Sequence, residues 1–172
     1  MHRDLSFRAK RAILLSFTAW AVVVLIVPWT LPEGSVPDLS GRSGSLDNMD
    51  SIEEMNPLAA AVYTIGDVYC HQRLDRSLTM NGNEMPFCAR DVGIFLGLAL
   101  GMLMVIALRP GFRIWLFVAL VLPILLDGGM QLMGLHESNN MLRMMTGAMG
   151  GVGSSYLLGH VADRKLGSGT AS

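Results

Sequence analysis

The stretch Cys70 to Asp91, CHQRLDRSLTMNGNEMPFCARD, gathers both cysteines, three arginines and a histidine into one polar island of an apolar chain. Each residue type there suits a definite chemistry. The guanidinium forks of Arg73, Arg76 and Arg90, with Arg143 further along, grip phosphate or carboxylate through paired N–H donors. His71, Asp91 and Asp127 are the groups able to take a proton from a reacting atom. Gln72, Ser77, Gln131, Asn139 and Asn140 supply further donors and acceptors for a bound ligand. Cys70 and Cys88 either form a disulfide, worth about 3 kcal/mol by closing the loop between them, or join His71 and one of Asp91 and Asp127 as zinc ligands. The two uses exclude each other. The disulfide is the reading adopted, because the spacing fits no Cys-x-x-Cys framework; the cofactor stays open, with zinc as the alternative.

Composition decides what kind of chain positions these groups. Of 172 residues, 51% are hydrophobic and 16% charged, whereas soluble domains carry about 25% charged residues. Such a chain wants lipid as its solvent. A net charge of -1 offers no basic field, so a nucleic-acid partner is set aside. No GxSxG elbow, Walker loop, HExxH or dinucleotide fingerprint occurs, so the chemistries those motifs mark have no support.

Arg3, Arg8, Lys10 and Arg11 precede the apolar run 12–27, which ends in Pro28 and Trp29. A basic flank, a hydrophobic body and an aromatic anchor, with no small-x-small cleavage site after them, read as an uncleaved first span with its amino end cytoplasmic. Residues 31–56 turn to Gly, Pro, Ser and acids, and read as a flexible, acidic extracytoplasmic loop with little to bury and a short helix near Met49 to Met55. Asn56-Pro57 then marks a helix start. Its apolar part is about 14 residues, or about 21 Å, and Gly66-Asp67 interrupts it. We read it as a short interfacial helix, on which Asp67 lies one turn from His71 and orients its imidazole.

Runs 92–108, 114–135 and 141–161 complete four spans, followed by a cytoplasmic tail 163–172. A five-span alternative, in which the Pro57 helix also crosses, places as many basic residues inside. The shortness of that helix and the cost of about 2.5–3.5 kcal/mol for an Asp at mid-membrane favour four. The expected architecture is thus all-α: a polytopic membrane bundle of four transmembrane helices plus an interfacial helix, in the plasma membrane, with both termini cytoplasmic. It divides into an N-terminal span 1–30, the loop 31–56, a membrane core 57–162 and the tail. Gly93, Gly97 and Gly101 on one span, and Gly147, Gly151, Ser155 and Gly159 on another, form small-residue stripes for close helix packing, within one chain or in a homodimer. The methionines read as gap-filling and His136 and His160 as span-end residues.

Ionisable groups at membrane depth need partners. Asp127 and Gln131 share a helix face, and Arg143 lies one turn inside the last span, so an Asp127–Arg143 ion pair is expected. With Cys88, Arg90 and Asp91 alongside, these residues define one polar hollow at the outer face.

Taken together, Cys70-His71-Gln72-Arg73 with Arg76-Ser77, Cys88-Ala89-Arg90-Asp91 leading into Gly93, Asp127-Gly128 with Gln131, and Ser138-Asn139-Asn140 with Arg143 and Gly147 resemble a prokaryotic family of predicted integral membrane proteins known as a domain of unknown function. The resemblance covers about 58–159. It implies a shared membrane fold and a shared polar site, and brings no reaction with it. The functional reading of the residues is a membrane-embedded transferase or hydrolase acting on a phosphate-bearing lipid head group, with membrane lipid as partner. Its rivals are a small transporter or channel and a non-catalytic lipid-binding or assembly factor. The nearly all-apolar inner halves of the spans favour a one-sided pocket over a translocation path.

Overall fold

The structure, a computed structural model, describes residues 2–39, 44–70, 73–135 and 137–167. Among the described residues, three helices are long and apolar enough to cross a membrane: α1 (His2–Ile26), α4 (Ala89–Leu108) and α5 (Ile114–Leu132). A fourth long helix, α6 (Asn140–Gly167), runs beside them. Its glycines dilute its hydropathy, and they are also the reason it packs as closely as it does. A β-carbon at Gly93 or Gly97 of α4 would fall 2.2 Å from the carbonyl oxygen of Met144 or Ala148 on α6. A β-carbon at Gly147 would meet the Arg90 carbonyl at the same distance. The two stripes therefore face each other within the chain, and a homodimer contact through them would compete with this packing. Ser155 Oγ adds an interhelical bond to the Leu98 carbonyl, 2.6 Å, of the kind that stabilises helix pairs in lipid.

The basic ends of α1, α4 and α6 gather at one end of the bundle. Lys10 Nζ donates to Asp163 Oδ1 at 2.8 Å, and Ser6 Oγ donates to the same oxygen. The α4–α5 connection is clamped from α6: Tyr156 Oη donates to the Gly111 carbonyl and accepts from the Arg113 N–H, 2.6 and 2.7 Å. A ring nitrogen of His160 lies 2.9 Å from the Pro110 carbonyl oxygen. Phe112 stacks on Tyr156.

The opposite end carries what the sequence reading did not anticipate. The expectation of an all-α chain is corrected by an antiparallel hairpin, β1 (Ser77–Met80) and β2 (Asn83–Cys88), inside the polar island. Met80 pairs with Asn83 across the two-residue loop Asn81-Gly82, both with positive φ, 54° and 69°, the geometry of the hairpin turn that Asn-Gly favours. The register slips between Ser77 and Thr79, and Pro86, which can donate nothing to a ladder, falls opposite that irregularity.

β2 is buried almost throughout because residues 31–39, read as part of a flexible loop, pack over it. Leu31, Val36, Leu39 and Ile52 of the supposed loop are buried in one core with Tyr63, Met85 and Phe87. Two fully buried polar side chains hold this segment down. Asn83 Oδ1 accepts from the Val36 N–H at 2.8 Å while its Nδ2 donates to the carbonyls of Pro28 and Pro32. Glu84 Oε2 accepts from the Leu39 N–H at 2.6 Å. Burial raises the Glu84 carboxyl above the ordinary range, against the bond from the Leu39 N–H that opposes the rise. Trp20, Phe87 and Phe95 meet edge to face at 5.1–5.9 Å, joining α1, β2 and α4.

α3 (Pro57–Tyr69) starts as its sequence predicts: Asn56 Oδ1 accepts from the Ala59 N–H at 3.0 Å and Pro57 takes the first position. Asp67 fastens the start of the short helix α2 (Met49–Glu53) to α3, while its expected partner His71 lies outside the described residues. Its carboxylate accepts from the Asn48 backbone and side-chain amides at 3.1 and 2.7 Å.

Candidate functional site

Four helices, one of them entered from β2, converge at this second end of the bundle. α3 ends at Cys70, whose N–H caps the helix on the Gly66 carbonyl. β2 runs straight into α4, so Cys88 is the residue that opens that helix, with Arg90 and Asp91 in its first turn. α5 brings Asp127 and Gln131, and α6 brings Arg143. Between them lies a cavity of about 210 Å³ bordered by Tyr69, Cys70, Arg76, Cys88, Arg90, Asp91, Gln131 and Arg143.

The ion pair expected between Asp127 and Arg143 is not made. Asp127, 4% exposed, pairs with Arg90, whose Nη2 donates to Asp127 Oδ2 at 2.5 Å and to Gln131 Oε1 at 2.9 Å. Thr146 Oγ1 lies 3.3 Å from the same carboxylate oxygen. Asp127 therefore sits behind Arg90 rather than on the cavity wall. Arg143, 3% exposed, has no acidic partner among the described residues: its Nη1 donates to the Asp75 carbonyl and to Asn140 Oδ1, both at 3.1 Å.

A pattern of unmet donors follows. Nε of Arg76, Nε of Arg90, Nε of Arg143 and Nε2 of Gln131 are each buried without an acceptor among the described residues. All four belong to residues bordering the one cavity. Buried donors normally find partners, since an unmade bond costs about 1–3 kcal/mol. The residues that carry them meet at one space, although Arg76 Nε also lies 3.6 Å from Asp75 Oδ2.

The cysteines correct a second expectation. Both thiols are free, so the disulfide expected between Cys70 and Cys88 is not formed. Each sulfur has another engagement: Cys70 Sγ accepts from the Cys88 N–H at 3.3 Å, and Cys88 Sγ donates to Asp91 Oδ2 at 3.2 Å. A thiol–thiol interaction in which the Cys70 S–H is the donor, with burial, pushes the Cys70 thiol well above its ordinary value. As the acceptor in it, Cys88 is held below its own. Cys88 is thus the thiol that ionises first, as its place at a helix amino end also favours.

Of the other residues singled out from sequence, Asn139 caps α6 by accepting from the Leu142 N–H at 2.8 Å, and Asn140 Nδ2 donates to the Ser77 carbonyl at 2.9 Å. These residues fasten α6 to the hairpin and do not border the cavity. Arg73 turns to solvent and pairs with Asp75 at 3.0 Å, which holds the Asp75 carboxyl below its usual range. Arg76 lies 3.6 Å from Asp75 and 3.9 Å from the exposed Glu137. His71, Gln72 and His136 lie outside the described residues. Tyr69, which the sequence reading passed over, borders the cavity while remaining 78% exposed. The signal for it was an aromatic residue at the end of a short interfacial helix, next to the first cysteine.

Apolar helices of membrane-crossing length with a polar cavity at one end define a multi-pass membrane protein. The chain belongs to the family described as predicted membrane protein (DUF2085), whose pattern matches residues 70–157, from the first cysteine into α6. The first helix and the segment before Cys70 lie outside the match. An uncharacterized protein of Methanocaldococcus jannaschii is 34% identical over 99 residues, 55% of this chain and 64% of that protein. An uncharacterized protein of Methanothermobacter thermautotrophicus is 36% identical over 91 residues, 51% of this chain and 82% of its own length. No solved structure matches.

Proposed function

We propose that the cavity at the hairpin end receives the phosphate of a lipid head group at the outer face of the plasma membrane, in a chain that crosses four times. In this arrangement α1, α4, α5 and α6 span, both termini are cytoplasmic and the hairpin end faces out. The clustering of Lys10, Arg109, Arg113, Arg164 and Lys165 at the other end agrees with the excess of cytoplasmic basic residues in membrane proteins. α3 is the interfacial helix: Leu58, Ile65 and Tyr69, exposed and seven and four residues apart, fall on one face that can lie in the head-group layer.

One observation carries the functional reading: the buried, unmet N–H donors of Arg76, Arg90, Arg143 and Gln131 that border one cavity. A phosphate offers several acceptors at once, and guanidinium forks are the side chains best shaped to use them. Arg143 matters most, because no carboxylate among the described residues neutralises it. Asp91, on the same wall, is the carboxylate available to move a proton if the bound group is also transformed. The apolar inner halves of α4 and α5 support a pocket over a conducting path.

The test is retention of lipid phosphorus. Purified protein exchanged into neutral detergent is expected to keep, or rebind from phosphatidylglycerol vesicles, a phosphate-bearing lipid. Arg143→Ala should lose it, whereas Arg73→Ala, whose side chain lies outside the cavity, should not. Equal retention in Arg143→Ala and Arg73→Ala would reject the reading.

A further inference from the structure

We propose that Cys70, Cys88 and Asp91 form a binding site for a zinc-like divalent cation at the wall of the same cavity. Their ligand atoms all lie within 4.8 Å of one another. A tetrahedral ion held at about 2.3 Å by sulfur and about 2.0 Å by oxygen sets its sulfurs about 3.8 Å apart, and sulfur and oxygen about 3.5 Å apart. The 3.2 Å between Cys88 Sγ and Asp91 Oδ2 is already close to that. Small rotations of the side chains complete the set.

The backbone makes this convergence durable. Cys88 opens α4 and Asp91 lies in its first turn, so their spacing is fixed by a helix. Cys70 terminates α3 and is tied to the same point by the bond from the Cys88 N–H. Ligands carried on the ends of regular elements are held better than ligands on loops.

The neighbouring arginines do not exclude a cation. Exchanging the two thiol protons for one dication leaves the local charge unchanged, since two protons depart with charge +2 and the ion returns it. Donor type narrows the identity. Two thiolates reject magnesium and calcium, which take oxygen ligands, and a carboxylate is a poor partner for copper(I). Zinc accepts both. Three protein ligands among the described residues leave one tetrahedral position to fill; a non-protein oxygen there would give the pattern of zinc centres that activate water or polarise a bound group.

The inference stands apart from lipid binding and is read by a different signal. Reduced, metal-free, full-length protein titrated with cobalt(II) is expected to bind one ion per chain, with sulfur-to-cobalt charge-transfer absorption that zinc abolishes. Cys88→Ser should remove about half of that absorption, and Asp91→Asn should keep it while weakening zinc at least about tenfold. Without any substitution, zinc should protect both thiols from alkylation. Absence of the charge-transfer band, its survival in the Cys70→Ser/Cys88→Ser chain, or unchanged alkylation with zinc present would overturn the assignment. Lipid phosphorus measured on the same samples shows whether either reading fails alone.

Discussion

Replacing Asp127 by alanine tests how the cavity is held together. Arg90 reaches from α4 to α5 by donating to both Asp127 and Gln131, at 2.5 and 2.9 Å. Without the carboxylate, the guanidinium keeps its charge and is left with an amide oxygen and a carboxylate-shaped gap. Removing one partner of a buried ion pair costs about 3–5 kcal/mol. Asp127 is 4% exposed but the Arg90 side chain 22%, so water reclaims part of the stranded charge and the lower figure applies. About 3 kcal/mol is a fall of about 150-fold in the ratio of folded to unfolded protein. The assay is equilibrium unfolding in mixed micelles, followed by helical circular dichroism, for Asp127→Ala, Arg90→Met and the double change Arg90→Met/Asp127→Ala. Because the double change strands no charge, it is expected to be more stable than the sum of the single effects implies, by about 2 kcal/mol. If the effects add to within about 0.5 kcal/mol, Arg90 and Asp127 are not coupled, and the described tie between α4 and α5 is wrong.

Gly97→Ala places a carbon 2.2 Å from the Ala148 carbonyl, so α4 and α6 must part by about 1 Å at a cost of about 1–3 kcal/mol. Gly129→Ala, a helical position with nothing within 4 Å, should be neutral or stabilising by about 0.5–1 kcal/mol; equal effects in the same unfolding assay would contradict the α4–α6 contact. For Glu84, burial raises the folded carboxyl above its ordinary value, so the folded state binds the proton more tightly than the unfolded one. That stabilisation is present below the ordinary carboxyl value and is lost as pH rises through the raised folded value. Thermal scans over that window should show stability falling as pH rises, and Glu84→Gln should flatten the fall. An unaltered slope in the variant would place the titration elsewhere.

The membrane-crossing helices were legible because hydropathy over about 20 residues is a sum that local exceptions do not erase. The meeting of Cys88, Arg90, Asp91, Gln131 and Arg143 was legible for a similar reason, since polar groups beside lipid have few places to go. Which acid takes which arginine was not. Arg90 and Arg143 are both within reach of α5 in sequence terms, and only the close α4–α6 contact at Gly93 and Gly147 decides that Arg90 meets Asp127. The hairpin was in principle readable from Asn81-Gly82, but that pair stands amid charged residues that resemble solvated loop. Residues 31–39 look unable to fold because their own apolar content is small. Their order comes from Asn83 and Glu84, which accept the backbone N–H groups of Val36 and Leu39 from about 45 residues away. No local pattern announces a buried acid of that kind.

The contact between Lys10 and Asp163 joins residues 153 positions apart. At about 5–20 residues per second, a ribosome needs roughly 8 to 30 s to make the second after the first. During that interval the Lys10–Asp163 latch is missing, and the opening helix is held by its affinity for lipid and, once α4 is made, by the contact of Trp20 with Phe95. The bundle gains its tie between first and last helices only when synthesis is nearly over.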